Sequence, residues 1–260
     1  MHPHGKAHQI ELKKKYGQHF LRDQRIVDHM IEAVPMQGAS ILEIGPGDGF
    51  LTRSILAHPI ARLWAFEIDH DWVTYLTNAI KDDRLTIIEQ DILTVDFGAL
   101  AAHAPWIVLA NLPYQITFGI MHLLQQHRHL LQEGVVMMQE EVAQKLVKTS
   151  GRGYSCSSLF FQYYFEFKLL DKIPPTAFYP APKVWSRLLY FKPKQQVAPI
   201  ANEEAFWKFI KTCFHQPRRT LRNNLSSTHY PIDRLSADVL AQRAQQLDIE
   251  QLLEIWHKLS

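Results

Sequence analysis

The stretch Leu42-Glu43-Ile44-Gly45-Pro46-Gly47-Asp48-Gly49 decides the fold. A short apolar run over residues 39–44 ends at a glycine cluster, and amphipathic sequence follows. Glycine there lets the backbone turn tightly and approach a ligand closely. Working outward, residues 62–67, 85–90, 106–110 and 134–139 are strand-sized runs rich in β-branched or aromatic side chains. Between them, 71–80 and 118–131 carry helical amphipathic spacing. Strand and helix in alternation predict an α/β fold, a mostly parallel sheet with helices on both faces.

The pattern changes after residue 140. Residues 140–148 and 155–165 read as helices. Residues 168–173 and 184–191 read as two strands joined by a proline-rich loop, adding an antiparallel edge. A linker at 192–199 leads to four helical stretches, 203–214, 217–225, 237–247 and 249–259. The expected organisation is a mobile basic tail (1–15), a catalytic domain (16–194) and a small all-α domain (195–260).

The chain has 260 residues and a formal net charge of +2, so a nucleic-acid site must come from local clustering of charge. Cys156 and Cys213 form neither a disulfide framework nor a metal-type spacing, so a reducing cytoplasmic setting is expected. The N-terminal His2, His4 and His8 lack supporting ligands, and no metal site is expected. No run has the length and apolarity of a signal peptide or membrane span.

Glu67 ends the second strand, placed to accept hydrogen bonds from two ribose hydroxyls. Gly-x-Gly-x-Gly followed by Phe50 departs from the dinucleotide pattern, and Asp48 would repel a pyrophosphate. S-adenosylmethionine has no phosphate and a zwitterionic amino-acid end, so it fits better. Asp91 ends the third strand and could accept from an adenine amine, with Ile68 and Ile92 covering the ring. The plainer reading of Asp91 is a helix cap or turn residue.

Asn111-Leu112-Pro113-Tyr114 follows the fourth strand. The exocyclic amine of adenine is a poor nucleophile because its lone pair is delocalised into the ring. The Asn111 side-chain oxygen and the Leu112 carbonyl can hold the amine hydrogens, localise the lone pair and aim it at a methyl donor. Pro113 fixes the backbone, and Tyr114 can stack on a flipped base. The plain alternative is a β-turn.

These motifs resemble the ribosomal RNA adenine dimethyltransferases of the KsgA type over nearly the full chain. The resemblance rests on 16–21 (YGQHFL), 43–52 (EIGPGDGFLT), 66–69 (FEID), the tetrad, 175–184 (PTAFYPAPKV) and 214–225 (FHQPRRTLRNNL). It implies a Rossmann-like methyltransferase sheet with a small all-α C-terminal domain. It implies that His19, Leu21, Gly45, Gly47, Glu67, Ile68, Asp91, Ile92 and Asn111 hold S-adenosylmethionine. It places Phe178 opposite Tyr114, sandwiching the target adenine. The implied substrate is two adjacent adenosines near the 3′ end of 16S rRNA in the immature 30S particle, both N6,N6-dimethylated.

Lys208, Lys211, Arg218, Arg219 and Arg222 form a basic cluster suited to phosphate. On a helix over 217–225, Arg218 and Arg222 would share one face with Arg219 adjacent. Lys13, Lys14 and Lys15 suggest a second patch, and Lys145, Lys148 and Arg152 a third. A monomer with no obligate protein partner is expected. Three alternatives stay open: a 23S rRNA adenine methyltransferase of the resistance type, a DNA adenine methyltransferase, and a non-catalytic RNA-binding assembly factor.

Overall fold

The computed structural model describes residues 6, 7 and 10–260. The chain forms two compact units, one of residues 1–143 with 166–193, the other of 144–165 with 194–260. In chain order the strands are β1 (Lys6–Ala7), β2 (Ile10–Glu11), β3 (Phe20–Leu21), β4 (Ser40–Ile44), β5 (Arg62–Glu67), β6 (Leu85–Glu89), β7 (Trp106–Asn111), β8 (Leu131–Gln139), β9 (Phe165–Ile173), β10 (Phe178–Tyr179) and β11 (Ser186–Pro193). The helices are α1 (Gln24–Glu32), α2 (Phe50–Leu56), α3 (His70–Ala79), α4 (Thr117–Gln126), α5 (Glu140–Leu146), α6 (Cys156–Tyr164), α7 (Glu203–Cys213), α8 (Leu221–Leu225), α9 (Ala237–Ala241) and α10 (Ile249–Leu259).

The first unit is built on a seven-stranded sheet in the order β6-β5-β4-β7-β8-β11-β9. Strands β6, β5, β4, β7 and β8 run parallel, and β11 is antiparallel to β8. The central strands are continuous apolar runs because both faces are covered. Ile41, Leu42, Leu63, Ile107, Val108, Leu109 and Val135 are fully buried. The outer strand β6 is only half-buried, as its place at the sheet edge requires. Register aligns the strand ends: Ile44 pairs with Phe66 on one side and Ala110 on the other, and Glu67 pairs with Glu89. Gly45, Ile68, Gln90 and Asn111 therefore line up along one edge. Crossovers run outward from β4 in one direction and from β7 in the other, so this edge carries a topological switch point.

Three expectations are revised. First, 144–165 belong to the second unit, not to the catalytic one. Tyr164 explains part of this: the Trp207 indole N–H donates to its hydroxyl at 3.1 Å, and that hydroxyl donates to the Glu203 carboxylate. Second, from Ile10 onward the N-terminal segment is packed against the rest of the first unit. Ala7, Leu12 and Phe20 are buried with Trp72, and the Lys13 ammonium bridges Asp69 and, at 2.7 Å, Asp71. The Lys13 charge is thereby paired, while Lys15 is exposed. His2, His4 and His8 lie outside the described residues, as does the Lys14 side chain. Third, 217–220 are not helical. Thr220 caps α8, and Arg218 and Arg219 sit in the preceding turn. Buried Asn224 holds that turn, accepting from Gln216 N at 3.1 Å and donating to Gln216 O at 3.2 Å and Arg219 O at 3.4 Å. A side-chain amide that satisfies loop backbone competes with helix formation.

The second unit packs α6, α7, α8 and α10 around Phe206, Phe209, Ile210, Leu221, Leu252 and Trp256. Asn202, Thr220, Ser236 and Asp248 cap its helices with side-chain oxygens. Such caps satisfy N–H groups that have no partner within the helix.

Candidate active site

A cavity of about 330 Å³ opens at the shared strand edge. It is walled by residues 15–21 of the N-terminal segment, the glycine loop, the ends of β5 and β6, and the tetrad after β7. That volume is of the size that holds a small cofactor. All these residues lie in the first unit.

The glycine loop is shaped by its backbone. Gly45 has φ +68° with nothing within 4 Å of where a Cβ would stand, so it presents bare backbone to the cavity. Gly47 has φ +57°, and a Cβ there would lie 2.6 Å from the Phe20 ring. Both positions require glycine. The Gly47 N–H donates to Glu67 Oε2 at 3.1 Å, and Asp69 N–H donates to Glu67 Oε1 at 2.9 Å. Glu67 is 6% exposed. Burial pushes its carboxyl above the usual carboxylate range, and the two backbone N–H groups pull it back. Each carboxylate oxygen has capacity for a further donor, which fits a pair of ribose hydroxyls.

Asp91 does two things at once. Its side chain caps the turn by accepting from Leu93 N at 2.9 Å, and it lines the cavity beside Ile68 and Ile92. Asp48 is not a loose repulsive charge: it is buried and ion-paired with Arg22 at 2.6 Å. Gln18 bonds Asp69 at 2.9 Å and receives Lys13 N–H at 2.9 Å, tying the N-terminal wall to the acidic strand end.

The tetrad meets that wall. The Asn111 amide nitrogen donates to the His19 carbonyl at 2.9 Å. This anchors one end of the amide and leaves Oδ1 as the acceptor of a residue that lines the cavity. Leu112 N–H continues the sheet by donating to Met137 O at 3.0 Å. Pro113 O accepts from Ile116 N at 3.2 Å and Thr117 Oγ1 at 3.1 Å, closing a turn that starts α4. Tyr114 shares a 2.6 Å hydrogen bond with buried Ser186, and burial pushes its phenol up. The turn reading and the acceptor reading of the tetrad describe the same residues.

Phe178 is placed otherwise than the resemblance implies. In β10 it pairs with Leu21 and points into the hydrophobic core, 5% exposed, and it does not line the cavity. Strand alternation turns Tyr179 outward instead, 45% exposed. The ring beside Tyr114 is His19, with centroids 6.0 Å apart and planes at 26°. The His19 Nδ1–H donates to Pro180 O at 2.6 Å, which fixes the tautomer. His19 thus contributes its carbonyl to Asn111 and its ring to the wall.

Glu43 was not singled out from sequence. It lies under the glycine loop, 1% exposed, and accepts from the Thr52 hydroxyl at 2.8 Å. Burial pushes its carboxyl up to about 8, opposed by the Thr52 hydrogen bond and reinforced by Glu67 and Asp48. An apolar strand with one interior acid was its only signal. The folded state keeps a proton that the unfolded chain releases above about 4.5. The sign follows: this stabilisation is full below that pH and is lost as pH rises toward about 8. Glu43→Gln keeps an acceptor for Thr52 and removes the titration. It is expected to melt above the parent at about pH 9, with the gap closing toward about pH 5. Thermal melts across that range check it, and a constant gap contradicts it.

A family model described as ribosomal RNA adenine dimethylase matches residues 9–259. The chain belongs to that family. It is 37% identical over 253 residues to the ribosomal RNA small subunit methyltransferase A of Chlorobium phaeobacteroides, covering 96% of this chain and 92% of the relative. It is 36% identical to the protein of the same name from Syntrophotalea carbinolica, over 92% and 93% of the two chains. Among solved structures it is similar to a dimethyladenosine transferase from Plasmodium falciparum, with TM-score 0.80, 22% identity and coverage of 92% and 98%. The 23S rRNA methyltransferase ErmE also shares the fold, with TM-score 0.73, 21% identity and coverage of 92% and 99%. The expected methyltransferase fold, with its antiparallel edge, is borne out. Family members of this type use S-adenosylmethionine on ribosomal RNA adenine. Among the described residues no helix is long and apolar enough to cross a membrane.

Of the basic residues predicted for RNA, Lys211, Arg218, Arg219 and Arg222 are exposed on the second unit. Lys208 is paired with Glu204 at 2.7 Å, one helical turn away. Such an exposed pair is weak.

Proposed function

We propose that this protein N6,N6-dimethylates two adjacent adenosines near the 3′ end of 16S rRNA, taking the immature 30S particle as substrate. The observation that carries the reading is Asn111, whose amide N–H end is spent on His19 O beside the glycine loop. Its oxygen is thereby committed to accepting a hydrogen. The cofactor supplies an electrophilic methyl on a sulfonium. Asn111 Oδ1 and the Leu112 carbonyl accept the amine hydrogens and aim the lone pair along the line of attack. Tyr114, braced by Ser186, stacks on the flipped base. Glu67 and Asp91 hold the ribose and adenine of the cofactor. The methylated nitrogen becomes acidic enough to lose its proton to water, so no strong base is required of the chain. Lys211, Arg218, Arg219 and Arg222 contact phosphate and position the RNA by shape.

Methyl groups are mapped by mass on RNA after unmethylated small subunits, or 23S RNA, are incubated with enzyme and cofactor. The expected result is two methyls on each of two neighbouring adenosines of 16S RNA and none on 23S RNA. Methylation of 23S RNA alone overturns the assignment.

A further inference from the structure

The segment that follows Phe178 is fastened to the cavity wall at both ends. Tyr179 pairs with Phe20 through β10 and β3, and Pro180 O is held by His19. At the far end Ser186 bonds Tyr114. Between these anchors the chain exposes Tyr179 (45%), Val184 (42%) and Trp185 (47%). Large apolar side chains of this kind are normally buried, so three exposed together on one short segment call for a partner.

Trp185 is exposed yet firmly held. Its carbonyl accepts from Glu140 N at 3.0 Å. Arg187 grips the same Glu140 through two hydrogen bonds, 2.5 and 2.7 Å, tying β11 to the start of α5. The Lys172 ammonium lies 4.8 Å from the centre of the indole ring. With the cation over one face, the half-exposed indole offers its other face to a base, and the ammonium can meet the negative charge of a phosphate. Ser186, the next residue, braces the Tyr114 ring proposed to hold the target adenine. Trp185 is thus one residue, about 3.8 Å along the backbone, from the partner of Tyr114.

We infer that Trp185, with Lys172, is a binding site for the unpaired nucleotide that flanks the target adenosine. The ring stacks on that neighbour's base and the ammonium contacts its phosphate. Trp185 is a positioning residue that keeps the strand splayed while Tyr114 holds the flipped adenine. A surface that recognised protein would gain from apolar area of any shape, whereas a base needs a plane. That difference sets the test.

The inference rests on the proposed RNA substrate, so the wild-type chain is assayed first on unmethylated small subunits. Failure there overturns the function reading, not this one. Steady-state kinetics then compare Trp185→Ala, Trp185→Leu and Trp185→Phe. Base stacking on an aromatic ring predicts a KM for the particle raised about tenfold in the Ala and Leu variants. The Phe variant is expected to recover most of the loss, and cofactor affinity by calorimetry is expected to stay at the parent value in all three. Lys172→Ala is expected to lower the slope of log affinity against log salt by about 0.7, the share of one phosphate on a single strand. An unchanged KM in Trp185→Ala, or a Leu variant that recovers as fully as Phe, overturns the inference. An unchanged salt slope in Lys172→Ala overturns the phosphate contact.

Discussion

Replacing Asn111 by alanine is expected to lower methyl transfer to unmethylated small subunits by about 10²- to 10³-fold, the usual cost of removing one preorganised group that acts on developing charge. The loss should fall on kcat. Cofactor affinity should stay within a few-fold of the parent, because Gly45, Gly47, Glu67 and Asp91 remain in the cavity wall. The substitution also frees the His19 carbonyl, which loses its amide donor at 2.9 Å. A variant that restores an acceptor but not its placement separates the two effects. Asn111→Asp retains an oxygen at the same reach, yet it cannot donate to His19 O and is expected to remain far below the parent. A stopped-time assay with labelled methyl donor, paired with calorimetry on the same preparations, checks this. Parental turnover in Asn111→Ala contradicts it.

Glu67→Ala is expected to act on the other half of the reaction. The carboxylate is buried and organises the loop by accepting from Gly47 N and Asp69 N at 3.1 and 2.9 Å. Losing charged acceptors for two ribose hydroxyls costs roughly 1.5–3 kcal/mol for each bond. The cofactor dissociation constant should rise about 10²-fold or more. Glu67→Gln keeps an acceptor and should lie between the parent and the alanine variant. Melting curves taken alongside separate loss of the site from loss of the fold. An Ala variant that stays folded and binds cofactor with parental affinity contradicts the role given to Glu67.

The parts of the site that sequence made legible are those that local chemistry dictates. Gly45 and Gly47 announce positive φ, and Glu67, Asp91 and Asn111 each follow a recognisable strand. Parallel register then brings strand ends to one edge whatever lies between them. What sequence hid depends on distant partners. Lys13 read as a free cation because Asp69, its buried partner, is 56 residues away. Arg218 and Arg219 read as helical although Asn224, only five to eight residues on, binds the loop backbone; its role there depends on its burial, which spacing does not give. Only the resemblance puts Phe178 against the adenine; by residue type alone it reads as core packing, which is where it lies. The pairing of Phe178 with Leu21 sets that placement. The 144–165 segment read as catalytic by continuity, yet Tyr164 is claimed by Glu203 and Trp207.

His19 shows the same dependence at the level of chemistry. Its ring and carbonyl serve different partners, Pro180 and Tyr114 on one side and Asn111 on the other. A motif match identifies the position but not which of these atoms matters. The carbonyl is common to every residue type, so the support of Asn111 survives a change of side chain at this position.

The central claim is that two oxygens of the tetrad hold the adenine amine in line with the methyl donor. The most direct measurement is a crystal structure of the chain with the demethylated cofactor and an RNA fragment whose target adenosine is flipped. The account predicts the adenine N6 within about 3.2 Å of both Asn111 Oδ1 and the Leu112 carbonyl, with the base against Tyr114. An amine that faces away from those oxygens in the occupied pocket would contradict it.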